Sequence, residues 1–240
     1  MPTPNLESSA FREWERIGGS PSPEGRAPRG PRGWPLALVR VAVMVFVVAL
    51  LPFVVLVRVA VFLYEQQRYP TLLALCGGVL CTTAVVAVYG AWLSRRFTGR
   101  LRLSLIARRI AFPFAIAYCG YALLYLSSAN AKSDRVRSYY LSLHPLLRVA
   151  LSTVMLADRD LVITDLARRP ADYATMGLPV KDGTLHYIQT DGYAHAADLR
   201  TAGRSEVTSR LVQLYLWSMG FSTLRHVGTA DHLHVELPLP

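Results

Sequence analysis

With 240 residues the chain is long enough for one or two domains, and its hydrophobic fraction of 52% exceeds that of an ordinary globular protein. A net charge of +10 would fit a nucleic-acid partner if it covered one soluble face, but from Ala129 onward 12 basic residues are matched by 11 acidic ones, which argues against such a partner. Cys76, Cys81 and Cys119 all lie inside apolar runs, so the rest of the chain has no disulfide framework or thiolate metal site.

In chain order, residues 1–33 contain the stretch GGSPSPEGRAPRGPRG, too poor in apolar residues to bury a core, and read as a disordered cytoplasmic tail. Apolar runs follow at Pro35 to Tyr64, Thr71 to Leu93 and Ile110 to Ser128. A bilayer crossing needs roughly 20 apolar residues, so residues 34–128 are expected to form a membrane domain of three transmembrane helices, with the lipid bilayer as partner. The first run is too long for a cleavable signal and is followed by more spans, which makes it an anchor. Within it Pro52 can kink the helix, and Arg40 and Arg58 lie near enough to its ends to snorkel. Arg95, Arg96, Arg100, Arg102, Arg108 and Arg109 crowd the segment between the second and third runs, without an acidic residue. By the positive-inside rule this puts the N-terminus in the cytoplasm and residues 129–240 outside the inner (cell) membrane.

After the linker SSANAKSD, Tyr140, Leu143, Leu147, Ala150, Leu151 and Val154 recur at helical spacing and predict one amphipathic helix over 136–157, with an irregularity at Pro145. A short strand is expected at 161–164, helical turns at 170–176 and a strand at 195–200. A second amphipathic helix is expected over 205–219, with Val207, Leu211, Leu214, Tyr215 and Met219 on its core side. Strands at 223–227 and 233–237 complete an α+β fold: three transmembrane helices, then a small extracytoplasmic domain with a mostly antiparallel sheet and flanking helices.

All six histidines follow residue 140. Asp231 and His234 form an Asp-x-x-His pair at the entry to the last strand, and Asp198 ends an alanine-rich strand where an unpartnered charge would be costly. Imidazoles and carboxylates are the ligands a catalytic zinc takes, commonly three with an open position. A hydrogen-bond network of Asp198 with Arg200 or Arg204 would account for the same residues without metal.

The segment from Tyr139 to Pro240 resembles the zinc peptidoglycan peptidases of the D-Ala-D-Ala carboxypeptidase type, within the group that includes lysostaphin and the hedgehog signalling domain. The residues that carry this are Arg168-Arg169-Pro170-Ala171 after the first strand, then Thr184-Leu185-His186, His195-Ala196-Ala197-Asp198, and finally Asp231-His232-Leu233-His234. The resemblance implies Zn2+ held by His186, Asp198 and His234, Asp231 as general base, Arg168 as oxyanion or carboxylate binder, and Arg169 and Thr184 beside the substrate. His186 precedes Asp198 by twelve positions, more than the family's interval, so an insertion within YIQTDGY must loop out at Asp191-Gly192. His195 and Asp191 are the alternative first ligands, although His195 should face away from Asp198 on a strand. The implied function is a membrane-anchored zinc-dependent metallopeptidase, a carboxypeptidase or endopeptidase acting on peptidoglycan stem peptides of the cell wall. The competing expectations are an inactive peptidase-fold module that binds cell-wall peptides or regulates a membrane partner, and a unit whose function lies in the spans themselves.

Overall fold

Three long apolar stretches are helical in the computed structural model: α1 (Trp34–Glu65), α2 (Thr71–Thr98) and α3 (Leu103–Leu124). The structure describes residues 34–177, 183–228 and 231–240, with Glu13 and Arg16 as isolated helical positions. The tail expected over residues 1–33 otherwise lies outside the described residues. All three helices are long and apolar enough to cross a membrane. The chain divides into two units, residues 1–47 and 48–240. In the first, the α1 side chains Val41, Val43, Met44, Val45, Phe46 and Val47 are more than half exposed, which suits a lipid-facing surface.

Within the second unit, Pro52 lies inside α1 and its carbonyl accepts the Thr82 hydroxyl of α2 at 3.0 Å. The third helix contains a π-helical stretch at Ala107–Ala111, where Arg108 and Arg109 lie. The single amphipathic helix expected over 136–157 is instead three pieces: α4 (Asp134–Ser138), a 3-10 turn (Tyr140–Ser142) and α5 (Pro145–Ala157). Proline has no amide hydrogen to donate, so Pro145 occupies the first helical position, and the His144 ring caps the new helix by accepting the Leu146 amide. The buried positions expected of that helix are all correct: Tyr140, Leu143, Leu147, Ala150, Leu151 and Val154 are core residues.

A four-stranded antiparallel sheet follows, made of β1 (Ile163–Asp165), β2 (Ala196–Arg200), β3 (Ser222–His226) and β4 (His232–Glu236) in the order β1-β2-β4-β3. The α+β expectation therefore holds. Alternation along β2 and β4 sends Ala197, Leu199, Leu233 and Val235 into the core and leaves Asp198 and His234 on the other face. α6 (Pro170–Met176) lies between β1 and β2, and α7 (Glu206–Met219) between β2 and β3. The Ser205 hydroxyl accepts the Thr208 amide at the start of α7, and Gly220 ends it with φ of 109°.

The core face expected for α7 needs partial correction. Met219 is buried and Tyr215 packs against the core as expected, but Val207, Leu211 and Leu214 are exposed, and Ser209, Val212 and Leu216 are buried instead. The helix carries two apolar stripes, and the one with the better-packed partners faces inward. One hydrophobic core runs from Leu56, Val57, Ala60 and Val61 of α1, through Leu147 and Leu151 of α5, to Leu199, Leu233 and Val235 of the sheet.

Candidate metal centre

The β2–β4 register sets Asp198 directly opposite His234. Residues directly opposite on antiparallel strands share a face, so the two side chains meet, with Asp198 Oδ1 2.7 Å from His234 Nδ1. His186 reaches the same carboxylate from the loop before β2, its Nε2 3.4 Å from Asp198 Oδ1. That loop is pinned by the His195 amide donating to the Leu185 carbonyl at 2.8 Å and by the Arg168 amide donating to the His186 carbonyl at 2.9 Å. His186, Asp198 and His234 thus present one ligand atom each within 4.8 Å of one another, and the group could hold a metal ion.

The atoms behind the ligands suit that role. His186 Nδ1 donates to the Leu166 carbonyl at 2.5 Å, so Nε2 is the nitrogen turned toward Asp198. His234 Nε2 donates to Glu236 Oε1 at 2.7 Å, so Nδ1 is the nitrogen presented to the centre. Outer hydrogen bonds of this kind orient metal-binding imidazoles and raise their basicity. Arg168 completes the set: Nη2 donates to Asp198 Oδ2 at 2.9 Å and Nε donates to Asp165 Oδ2 at 2.5 Å. A shift in register within β1 brings Asp165 opposite Asp198. With Oδ2 of Asp198 held by Arg168, Oδ1 is left for the two imidazoles.

Charge follows the geometry. Burial pushes the Asp198 pKa up, but the hydrogen bonds from His186 and His234 outweigh it and hold the carboxyl below the ordinary range. Burial disfavours the His234 cation, yet Asp198 and Glu236 raise its pKa above the ordinary imidazole value. Burial also works against Arg168, and Tyr173, Asp165 and Asp198 more than compensate. Without metal, each ring nitrogen of His234 faces a carboxylate oxygen at 2.7 Å, which favours the imidazolium.

The other expected site residues fall at different distances from this centre. A cleft of about 720 Å³ is lined by Lys132, Arg135, Tyr139, Arg168, Asp198, Arg200, Asp231 and His232, among others. Asp231 therefore lines the same cleft as Asp198, but its carboxylate accepts the Gly228 amide and lies 3.9 Å from Arg225. His232 Nε2 is 3.9 Å from Asp198 Oδ1, and its ring stacks on His226 with centroids 4.6 Å apart. Thr184 accepts the His186 amide at 3.3 Å and so positions a ligand. The Arg169 guanidinium lies 5.9 Å from the centre of the ring of Tyr139, a residue that lines the cleft. His195 faces away from Asp198, as strand parity requires, and Asp191 faces away with it. The expected loop-out is present, since the Gln189 amide donates to the Tyr193 carbonyl and Gly192 sits at the tip with φ of 85°.

Glu236 and Asp165 were not among the expected site residues. Glu236 lies two positions after His234 on one strand, a spacing that places both on one face and could have revealed it. No protein-family model, curated protein or solved structure matches this chain.

Proposed function

We propose that the chain is a membrane-anchored zinc peptidase acting on the peptide stems of peptidoglycan, with residues 129–240 outside the cytoplasmic membrane. The observation that carries this reading is the His186–Asp198–His234 group with Arg168 fixed on its carboxylate at one side of an open cleft. Two imidazoles and a carboxylate match the donor set of catalytic zinc. When bound, zinc supplies Lewis acidity toward an amide carbonyl. The chain's own residues do the rest. Glu236 and the Leu166 carbonyl hold the two imidazoles in place, and Arg168 holds Asp198. Lys132, Arg135 and Arg200 give the cleft a cationic wall suited to the carboxylates of a stem peptide. Its volume lies in the range of about 300–1,000 Å³ usual for small-molecule sites. The arginines from Arg95 to Arg109, around the junction of α2 and α3, support the orientation, because the positive-inside rule leaves the cleft on the side where that substrate is found.

The test uses the full chain in detergent, loaded with zinc and incubated with muropeptides. Stem-peptide cleavage that disappears on His234→Ala, together with one equivalent of zinc, is the expected result. Zinc-loaded wild type that cleaves nothing, or a variant that cleaves as well, overturns the peptidase. A second reading has its own observation: the Asp231 carboxylate is tied to the Gly228 amide of its own turn rather than directed at His234. If stem peptides bind the zinc-loaded chain without being cut, a cell-wall-binding module is the better account.

A further inference from the structure

A second group of ligating side chains lies on the opposite side of β2. His195 immediately precedes the strand, Asp191 sits in the hairpin before it, and His144 caps α5. Both histidine side chains are completely buried, while Asp191 retains a third of its exposure and opens the group to solvent. Asp191 Oδ2 lies 2.8 Å from His195 Nε2 and 3.7 Å from His144 Nε2. One ligand atom from each residue falls within 4.8 Å of the others, the same spread and the same donor types as in the first centre.

The surroundings favour an ion over a bare polar network. His195 Nε2 donates to Asp191 Oδ2 at 2.8 Å, and an ion between them would take the place of that proton while Nδ1 donates to the Leu237 carbonyl at 3.3 Å. Asp191 Oδ1 accepts the Tyr193 amide at 3.1 Å, which turns Oδ2 toward the two imidazoles. The His144 side chain is completely buried, which favours the neutral imidazole, the form a metal requires. His144 needs a like adjustment. His144 Nδ1 accepts the Leu146 amide at 3.3 Å, so Nε2 carries the proton and donates to the Thr71 hydroxyl at 3.0 Å. Ligation through Nε2 moves that proton to Nδ1 and gives up both the long capping bond and the bond to Thr71.

We propose that His144, Asp191 and His195 form a second divalent-metal site, taking a zinc-class ion that joins the hairpin, the start of β2 and the N-terminus of α5. The end of α1 and the first turn of α2 close over it: the Tyr64 ring is 4.9 Å from the His144 ring, and Thr71 bonds His144 directly. The ion therefore joins parts of the C-terminal segment that pack beneath the membrane helices. It does not depend on the peptidase proposed above, because it shares no ligand with the first centre.

The full chain in detergent, stripped with chelator and titrated with Zn2+ alone, tests this. Co2+ serves as a second probe through its visible absorption. Wild type is expected to bind two equivalents, with Asp191→Asn and His234→Ala each binding one. The carboxamide introduced by Asp191→Asn retains an oxygen to accept the Tyr193 amide, so the hairpin survives. Affinity at this site should fall by about 100-fold or more, at least the loss that follows removal of an outer hydrogen-bond partner. Zinc should also raise the melting temperature of His234→Ala but not of the double variant Asp191→Asn/His234→Ala. A wild type that binds a single equivalent, lost in His234→Ala and kept in Asp191→Asn, overturns the second site and leaves the first intact. A single equivalent with the opposite pattern sustains this site and removes the first. A chain that binds no zinc overturns both.

Discussion

At the scale of single residues, the first centre is defined by what lies behind each ligand. Asp198 is buried among groups that favour its charge, and His234 is held as a cation by Asp198 and Glu236. These shifts fix a pH window for the metal-stripped protein. The depressed Asp198 contributes stability above the unfolded carboxyl value of about 3.9, and that contribution is lost as pH falls through its lower folded value. The raised His234 contributes fully below the unfolded imidazole value of about 6.5, and this is lost as pH rises through its higher folded value. The pair is therefore most stabilising between the two. The melting temperature of the chelator-treated protein is expected to decline as pH rises above this window. His234→Gln should flatten the alkaline decline. A wild-type curve that stays level from the window through neutral pH, parallel to the variant, would remove the imidazolium from the account.

At the scale of elements, the two apolar stripes of α7 put opposite demands on the helix. Leu216 is completely buried, and Leu214, two residues earlier, is 56% exposed. Leu216→Ala should therefore cost about 2–5 kcal/mol by cavity formation, whereas Leu214→Ala should stay within about 0.5 kcal/mol. Unfolding of both variants in detergent checks the phase of the helix; equal costs would contradict it. The extent of α7 was legible in the sequence because Ser205 and Gly220 mark its ends. Its inward face was not, because Val207, Leu211 and Leu214 repeat at the same spacing as Val212, Leu216 and Met219, and only the tertiary partners choose between them. The same division holds at the site. Parity along β2 was enough to separate His195 from Asp198. The register that sets Asp198 against His234 depends on pairing between strands distant in sequence, which no local pattern encodes. Glu236 was overlooked because it matters only once that register has turned His234 Nε2 toward it.

At the scale of the molecule, the polar linker after α3 reads in the sequence as a boundary, but the packing does not stop there. Tyr140, which follows the linker, donates its hydroxyl to the Ala122 carbonyl of α3 at 2.5 Å. Arg148 Nη1 of α5 donates to the Leu123 carbonyl at 2.5 Å, and the hydroxyls of Thr153 and Tyr118 meet at 2.6 Å. At the other end, Gly220 fits against α1 so closely that a Cβ there would lie 2.8 Å from Val61 Cγ1. α5 is buried along most of its length because the helices cover one side and the sheet the other. Cutting the chain at the linker would expose that side. Leu56, Val57, Ala60 and Val61 would be removed from the core, and the Tyr140 and Arg148 donors would lose their acceptors. Apolar burial stabilises by about 25 cal/mol per Å², and a small domain has only a few kcal/mol to lose. A fragment of residues 129–240 is therefore expected to aggregate or to lack a cooperative unfolding transition, while the whole chain in detergent unfolds in one transition seen alike by tryptophan fluorescence and circular dichroism. A soluble fragment that melts cooperatively at the temperature of the full chain would show that the shared core contributes nothing. On the expected outcome, the helices do more than hold the cleft at the membrane: they form one wall of the core behind the His186–Asp198–His234 group, so a change in their packing reaches that group through α5 and β2.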